Sequence, residues 1–344
     1  MYTNKIYING KFLTQQESGV QAYARGIINA LILHKIDFEI LTPKSVQLSD
    51  KFKTRQIGIF SSITLWEQIS LPRFMNRQKD AVLINFCNSA PLFSKNQIVT
   101  IHDLAFELRG VKWFSRSFEL WYRYLIPRIC KTSKIIFTVS QFSKQQIIST
   151  YKINPDKVFV IPNGIEIPLK VSDRIISEDY LLMIGGNNPR KNVWCVITQI
   201  DDIVSRGLKL VILGHDDFLF RKKGRFNHPG IIYIDYVSKD DYYSLIKHSK
   251  ALVYPSLYEG FGIPILECLC MKIPVICNDL IVFRESFNDL PIYFDANDML
   301  KFKSALGEIS SFSISDEEVN KLMSNFSFSN SVSLILKTLE REIG

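Results

Sequence analysis

Apolar residues along this chain form short runs that alternate with segments in which they recur every three or four residues. Runs rich in Val and Ile on both faces predict buried parallel strands, and the recurring pattern predicts helices that pack on a sheet. In the first half the predicted strands are KIYING, DFEIL, AVLINF, QIVTIHD, KIIFTVS and KVFVIPN, and the predicted helices include VQAYARGIINALILHK and FSKQQIISTY. This alternation predicts a doubly wound α/β domain with a parallel sheet.

The same pattern restarts in the second half, with predicted strands YLLMIGG, LKLVILG, IIYIDYV, ALVYPS, PVICND and PIYFD. A helix is predicted over 193–204 and a terminal helix over 330–342. Pro162-Asn163-Gly164 ends a strand, and the polar residues after it have no strong period, which predicts a linker. The predicted organisation is a Rossmann-like domain at 1–165, a linker at 166–179, a second Rossmann-like domain at 180–329, and residues 330–344 packing back on the first domain. Such domains bind ligands at the carboxyl ends of their strands.

Composition places the chain among folded proteins, since 47% of its 344 residues are hydrophobic and 22% are charged. No apolar run approaches the ~20 residues that cross a bilayer, and the first residues lack the apolar region of a signal peptide, so a cytoplasmic location is expected. The six cysteines have no CxxC spacing and are predicted to be buried free thiols rather than zinc ligands or disulfides.

Positive charge is concentrated in the first half. Residues 1–164 carry 22 Lys and Arg against 10 Asp and Glu, whereas residues 165–344 carry 20 against 24. Residues 109–134 alone hold seven cations and one acid, interleaved with six aromatic residues. Two interpretations stay open: an amphipathic helix with its aromatics in the core, or an interfacial helix that binds an anionic membrane surface. The candidate acceptor or membrane residues are Asp103, Trp113, Arg116, Trp121, Arg123 and Lys131.

The most specific motif is PSLYEGFGIPILE at 255–267, which follows a predicted strand and opens a helix. Its two glycines let the backbone approach a ligand, and a helix N-terminus favours phosphate. Glu259 lies in the loop and can accept hydrogen bonds from hydroxyl groups. Glu267, one turn into the helix, can accept a pair from a ribose diol.

A second motif, IGGNNPRKN, combines a glycine turn at Gly185 with Arg190 and Lys191 at a predicted helix start. Two cations beside free helix amides form a clamp for a diphosphate group, and Arg adds bidentate geometry. No histidine spacing or DxD pair is present, so no metal site is predicted.

These motifs resemble the signature of the family 4 glycosyltransferases, which are retaining enzymes of the GT-B fold with two Rossmann-like domains facing across a cleft. The resemblance extends over most of the chain through SGVQAYARGIINAL, VTIHDLAF, IIFTVSQFSKQQI, VFVIPNGIE, LVILGHDD and PVICND. It implies a nucleotide-sugar donor on the second domain and an acceptor on the first. The chain departs from the family at Gly186 and Ala22, where many relatives have arginine.

The resemblance also implies roles for individual residues. His102 matches the family's histidine on the acceptor side, where the implied role is to hydrogen-bond the transferred sugar or to polarise nearby groups. With Glu259, Arg190 and Lys191 it makes up the candidate catalytic set. The candidate donor-binding residues are Gly19, Val20, Gly185, Arg190, Lys191, Tyr236, Val237, Glu259, Gly260, Phe261, Gly262, Ile263 and Glu267.

The predicted function is therefore a retaining, metal-independent transfer of a hexose to a growing, lipid-linked glycan in surface-polysaccharide (lipopolysaccharide) biosynthesis. The SGVQ and VTIHDLAF segments look most like bacterial mannosyltransferases, which favours mannose from GDP-mannose over a UDP-hexose. No cofactor and no nucleic-acid partner are predicted, and the expected location is the inner face of the plasma membrane. The alternatives are a basic nucleic-acid-binding protein and a catalytically inactive GT-B regulator.

Overall fold

The computed structural model describes residues 5–15, 18–46, 52–94, 96–186, 188–214 and 225–343. These residues form two compact units. The first consists of residues 1–107, 116–164 and 326–344, and the second of residues 108–115 and 165–325. The units depart from the predicted domain ranges at three places. Residues 108–115 group with the second unit, the predicted linker 166–179 belongs to the second unit together with residue 165, and the return to the first unit begins at Phe326.

The first unit is built on a seven-stranded parallel sheet whose buried strands carry Val, Ile and Leu on both faces. Its strands are β1 (Lys5–Asn9), β2 (Phe38–Thr42), β3 (Thr54–Gln56), β4 (Ala81–Asn85), β5 (Gln97–Thr100), β6 (Ile135–Thr138) and β7 (Val158–Val160). Its helices up to residue 151 are α1 (Gly19–Leu33), α2 (Ile63–Leu65), α3 (Leu71–Met75), α4 (Arg116–Thr132) and α5 (Gln141–Tyr151). A π-helical turn at Trp66–Ser70 joins α2 to α3.

The second unit contains a six-stranded parallel sheet. Its strands are β8 (Tyr180–Ile184), β9 (Lys209–Leu213), β10 (Ile231–Ile234), β11 (Ala251–Tyr254), β12 (Val275–Asn278) and β13 (Ile292–Phe294). Its helices are α6 (Val193–Ile197), α7 (Ile200–Ser205), α8 (Lys239–Lys247), α9 (Ile263–Cys270), α10 (Ile281–Phe287), α11 (Met299–Glu308) and α12 (Asp316–Asn325). The predicted fold class, α/β with two Rossmann-like parallel sheets, is confirmed.

The last helix, α13 (Phe328–Ile343), packs on the first unit. The Phe328 ring fills the space beside Gly26, where an added Cβ would lie 2.1 Å from the ring. The Ser331 hydroxyl donates to the Pro162 carbonyl at 2.8 Å. These contacts attach the end of the chain to α1 and to the segment that follows β7.

Both sheets reverse their strand order at one point. The first has the order β3-β2-β1-β4-β5-β6-β7, so the reversal lies between β1 and β4. The second has the order β10-β9-β8-β11-β12-β13, with the reversal between β8 and β11. In open parallel sheets the loops that leave the strands at this point diverge to opposite faces, and ligands bind in the crevice between them.

The structure differs from the predicted elements at one helix and at one strand. The helix predicted over 193–204 is two short helices, α6 and α7, separated by a turn at Thr198 and Gln199. Within residues 109–134 the chain becomes helical at Arg116, so Trp113 and Phe114 precede α4. Strand β3 was not predicted, because its exposed polar sequence TRQ has no apolar alternation. All six cysteines are free thiols; four are buried, and Cys87 and Cys195 are half-buried.

Candidate active site

The loops that leave β8 and β11 bring Glu259, Arg190 and Lys191 together at the reversal point of the second sheet. The Glu259 carboxylate lies 2.9 Å from Nη1 of Arg190 and 2.7 Å from Nζ of Lys191. The backbone N–H of Leu257 donates to the Arg190 carbonyl at 2.8 Å, which joins the two loops directly. Two of the predicted motifs, about 70 residues apart in sequence, thus form one site.

Tyr254, the last residue of β11, completes this group, which we call the Glu259 cluster (Arg190, Lys191, Tyr254 and Glu259). The buried Tyr254 hydroxyl donates to Glu259 Oε1 at 3.1 Å, and Lys191 Nζ donates to the same hydroxyl at 2.5 Å. The Lys191 ammonium also lies over the Tyr254 ring, 4.6 Å from its centroid. Sequence reasoning missed Tyr254; its place at the carboxyl end of a buried strand was the available signal.

The charges of the cluster control the ionisation of Glu259. Burial by itself raises the pKa of this carboxyl group, but the adjacent Arg190 and Lys191 outweigh burial and lower the pKa to about 2. Glu259 is therefore ionised at every physiological pH. One carboxylate faces two cations, so the cluster carries a net charge of +1.

Glycines make the close approach of these groups possible. Gly185 has a φ of +131°, and an added Cβ would lie 2.6 Å from Cγ of Lys191. Gly262 has a φ of +114°, and a Cβ there would lie 2.9 Å from the Phe283 ring. Both backbones lie in the region that favours glycine, and a side chain at Gly185 would displace Lys191.

Arg190 and Lys191 are not at the start of an α-helix as predicted. They lie in a single 3-10 turn, Pro189–Lys191, in which the Asn188 side chain accepts from the Arg190 backbone N–H at 3.0 Å. Asn192 follows with a left-handed backbone, and α6 begins only after it. Gly186, at the position where the family pattern has arginine, has a φ of +56°, so the turn itself favours glycine there.

Glu267 occupies a different environment on α9. Its carboxylate is 7% exposed and accepts from the Tyr242 hydroxyl at 2.5 Å and from the Tyr243 hydroxyl at 3.0 Å. Burial raises the pKa of Glu267, and the two phenol hydrogen bonds lower it only in part. Both tyrosines come from the first turns of α8 and were not predicted, because nothing in the local sequence pairs α8 with α9.

The remaining donor-side residues of this unit are spread around the same strand ends. Gly260, Phe261 and Ile263 continue the loop into α9, and Phe261 is buried against Phe287 at a centroid distance of 5.7 Å. Val237 is half-buried, whereas Tyr236 is 81% exposed directly after β10.

The other predicted residues lie on the first unit, apart from Trp113. His102 follows β5 and is 7% exposed; its Nε2 donates to the Phe86 carbonyl at 2.9 Å. Burial lowers the pKa of His102, more than its hydrogen bond to Phe86 raises it. The ring is therefore neutral, with Nδ1 as its acceptor atom. Gly19 and Val20 are the first two residues of α1, where Ser18 and Gln21 bond to each other across the first turn.

The aromatic and basic segment divides between the two units. Trp113 is buried in the second unit, where its ring lies 6.3 Å from that of Tyr258. Arg123 of α4 donates to the Phe106 carbonyl at 3.0 Å. Asp103, which lies after β5, accepts from the Ala105 backbone N–H at 2.9 Å. Trp121 is half-buried and stacks on Tyr124, while Arg116 and Lys131 are exposed.

Within the residues that the structure describes, no group of three or more His, Cys, Asp and Glu side chains is arranged to hold a metal ion. None of the described helices combines the length and the apolar composition that spanning a bilayer requires.

Two parallel α/β units, of which one carries a buried acid between two cations, agree with the class of protein that the motifs predict, a glycosyltransferase of the GT-B fold. Two family models agree with it: "Glycosyltransferase Family 4" matches residues 18–167 and "Glycosyl transferases group 1" matches residues 171–320. The chain belongs to the family 4 glycosyltransferases.

Individual relatives support this assignment. The chain is 26% identical to the O-antigen chain mannosyltransferase RfbU of Salmonella typhimurium, over 93% of this chain and 91% of that protein. It is 30% identical to O-antigen chain mannosyltransferase B of Escherichia coli, over 49% of each chain. A sucrose-phosphate synthase from Thermosynechococcus elongatus has the same fold, with a TM-score of 0.72, 12% identity and 98% coverage of both chains.

Proposed function

We propose that this glycosyltransferase moves a hexose from a nucleotide-sugar donor to a growing glycan acceptor in surface-polysaccharide biosynthesis, with retention at the anomeric carbon. The Glu259 cluster is the observation that supports binding of a nucleotide-sugar donor. Its excess positive charge, held at the sheet reversal, suits a diphosphate group. Glu267 on the adjacent helix offers carboxylate oxygens to a ribose diol.

In the proposed reaction the bond between the sugar C1 and the diphosphate oxygen breaks, and a bond forms between C1 and an acceptor hydroxyl oxygen. The electron pair of the broken bond goes to the departing diphosphate, whose oxygen also receives the acceptor proton. Arg190 and Lys191 stabilise the charge that develops on this group. The Glu259 carboxylate accepts hydrogen bonds from hydroxyl groups of the sugar, and Nδ1 of His102 accepts a hydrogen bond from the transferred sugar.

We propose mannose from GDP-mannose as the donor, because the two curated relatives described above are both named mannosyltransferases of the O-antigen chain. The same names support a growing polysaccharide chain as the acceptor, and we propose that this chain is lipid-linked. A UDP-hexose is the alternative donor. We propose no role for nucleic acid.

We further propose that transfer needs no metal ion, because the two cations of the Glu259 cluster offset diphosphate charge in place of a bound cation. Activity should then be unchanged after EDTA treatment and dialysis. Loss of activity that added Mg²⁺ or Mn²⁺ restores would contradict this part of the proposal.

The proposal as a whole is tested with a panel of radiolabelled nucleotide sugars, GDP-mannose and UDP-hexoses among them. We expect slow hydrolysis of one donor in the absence of acceptor, and transfer to lipid-linked glycan extracts. Retention is read from the anomeric coupling constants of the product by NMR. A chain that binds no nucleoside diphosphate in calorimetry and hydrolyses no donor would overturn the proposal.

A peripheral membrane location, on the inner face of the plasma membrane, is proposed from the exposed side of α4. Leu120 is 71% exposed and Tyr124 is 47% exposed, and the same helix carries the exposed cations Arg116, Arg128 and Lys131. Arg123 is left out of this surface because it is half-buried and donates to the Phe106 carbonyl, which lies before α4. Apolar side chains flanked by cations suit the boundary of an anionic leaflet.

Vesicle co-sedimentation tests the membrane proposal. Wild type should pellet with phosphatidylglycerol vesicles, more weakly at high salt and not with phosphatidylcholine alone. The variant Arg116→Glu/Leu120→Gln/Lys131→Glu should remain in the supernatant, while the control Lys239→Glu/Lys247→Glu on α8 should pellet like wild type. Equal pelleting of all three proteins would show that α4 is not the contact.

A further inference from the structure

The first unit contains its own buried charged group at the point where its strand order reverses. The last residues of β1 and β4 and the segments that follow these strands meet the π-helical turn there. We call this group the Lys11 cluster (Asn9, Lys11, Glu67, Asn85 and Ser89). Because open parallel sheets bind ligands at this point, the cluster occupies the position in the first unit that the Glu259 cluster occupies in the second.

Glu67 is the centre of the cluster and is 1% exposed. Its Oε1 accepts from Asn9 Nδ2 at 3.0 Å and from Ser89 Oγ at 2.8 Å. Its Oε2 accepts from Lys11 Nζ at 3.0 Å and from Gln68 Nε2 at 3.4 Å. A carboxylate offers about four acceptor positions, so Glu67 has no capacity left for a ligand. Its role is to hold the cation beside it.

Lys11 differs from Glu67 both in its exposure and in its remaining capacity for hydrogen bonds. Its ammonium has three N–H donors, of which one goes to Glu67 and one to Ser89 Oγ at 2.9 Å. Within the part of the chain that the structure describes, the third has no acceptor. The Lys11 side chain is 14% exposed, so this donor can be reached from outside. A buried ion pair adds little net stability to a fold, which leaves its position at a ligand crevice to be explained.

The cluster shares one short loop with His102. In the loop Phe86–Ser89, the Phe86 carbonyl accepts from His102 Nε2, the Asn88 side chain accepts from the His102 backbone N–H at 2.7 Å, and Ser89 accepts from Lys11. A group bound to Lys11 is thus adjacent to the loop that positions His102.

An aromatic residue borders the same region. Tyr122 of α4 is half-buried and stacks on Phe118 at a centroid distance of 4.0 Å. It lies close enough to Lys11 and Glu67 for their charges to act on its pKa, which burial raises. Hydrogen-bond donors beside an aromatic ring are the combination that binds the hydroxyl groups and C–H face of a sugar.

We propose that the Lys11 cluster binds the terminal sugar of the acceptor glycan, with Lys11 donating its third hydrogen bond to a hydroxyl oxygen of that sugar. The cluster pairs one cation with one carboxylate and is neutral overall, so it suits an uncharged hydroxyl rather than a phosphate. This inference rests on the proposed function, because only a transferase needs a second sugar site.

The test uses the full-length protein and methyl α-mannopyranoside, methyl α-glucopyranoside and methyl β-galactopyranoside as probes, with binding followed by saturation-transfer NMR. Wild type should bind at least one of them. Lys11→Met/Glu67→Gln removes the ion pair without leaving a buried charge, and Lys11→Arg keeps the charge but changes the donor geometry. Both variants should weaken pyranoside binding, and raise the KM for the glycan acceptor, by about tenfold.

Two controls separate this inference from the proposed function. Lys53→Met/Asp37→Asn removes an exposed ion pair of the same unit and should bind and transfer like wild type. Nucleoside diphosphate binding, measured by calorimetry, should be equal in all four proteins; its absence from wild type would count against the proposed function instead. Wild type that binds no pyranoside, or either Lys11 variant with wild-type pyranoside binding and acceptor KM, would show that the cluster is only structural.

Discussion

The two units place a buried acid beside half-buried cations at the same topological point, yet they balance the charges differently. In the second unit Glu259 faces both Arg190 and Lys191, which leaves an excess of one positive charge. In the first unit Glu67 faces Lys11 and is otherwise surrounded by amide and hydroxyl groups. One sheet reversal therefore presents a cation excess and the other a neutral polar group.

This difference shows how one architecture can serve two kinds of ligand. Excess positive charge in a partly buried crevice attracts a diphosphate, whereas a neutral ion pair offers directional hydrogen bonds without attracting anions. The fold determines where a ligand binds, and the local charge balance determines its chemical class.

The largest expected effect comes from removing the excess charge altogether. Arg190→Met/Lys191→Met should lower the rate of transfer by about a thousandfold or more, because no cation is left to stabilise the departing diphosphate. Initial rates with labelled donor give the measurement. The matched control is Arg206→Met/Lys247→Met, which removes two exposed cations from the same unit and should transfer at a rate near that of wild type. A loss of less than tenfold in the first variant would refute the role assigned to these cations.

The next effect concerns stability and pH. Glu259 has a pKa of about 2 in the folded protein against an ordinary value of 4.5, so its contribution is complete above about pH 4.5 and is lost as pH falls toward 2. Glu259→Gln should lower the free energy of unfolding by about 3 kcal/mol near pH 7 and by about 1 kcal/mol near pH 3. Urea unfolding at both pH values measures this. An equal loss at the two would mean that the carboxylate charge is not what stabilises the loop.

A smaller change makes the two clusters alike. Lys191→Gln leaves one cation and one acid in the Glu259 cluster, as in the Lys11 cluster. Affinity for a nucleoside diphosphate should fall by about 10- to 100-fold, while affinity for the nucleoside without phosphates should not change. Calorimetry with both ligands makes the distinction. Parallel losses for the two ligands would indicate a distorted loop rather than a missing charge.

The smallest effects are expected at Glu267, which has phenol partners instead of cations. Glu267→Gln should weaken nucleoside diphosphate binding about tenfold by removing a charged acceptor. Tyr242→Phe, which removes one of the two phenol hydrogen bonds that orient Glu267, should weaken it about threefold. A 2′,3′-dideoxy analogue should bind wild type and Glu267→Gln equally. If Glu267→Gln binds the ordinary nucleotide as wild type does, the ribose assignment is wrong.

Much of the fold follows from local patterns. The strands were predictable because a buried parallel strand needs apolar residues on both faces, as in AVLIN of β4 and ALVY of β11. Strand β3 was missed because an edge strand with exposed polar residues carries no such signature. The helix over 193–204 was predicted too long, since the apolar spacing continues across the turn at Thr198 and Gln199.

The residues of the candidate site were predictable where they belong to local motifs, but their contacts with one another were not. Glu259, Glu267, Arg190 and Lys191 belong to motifs whose spacing carries the chemistry within a few residues. Nothing local indicated that Tyr254 bridges two of them, that Tyr242 and Tyr243 hold Glu267, or that Trp113 packs on Tyr258 in the second unit.

The sequence by itself determined the repeated strand and helix pattern, the two motifs of the donor side and the family to which the chain belongs. Only the tertiary structure decided which charges meet. Lys11 and Glu67 are 56 residues apart, and Lys191 and Glu259 are 68 apart. Apolar periodicity reports what each short segment buries, whereas the energy of a charge pair depends on a distance that the strand order of the folded sheet alone establishes.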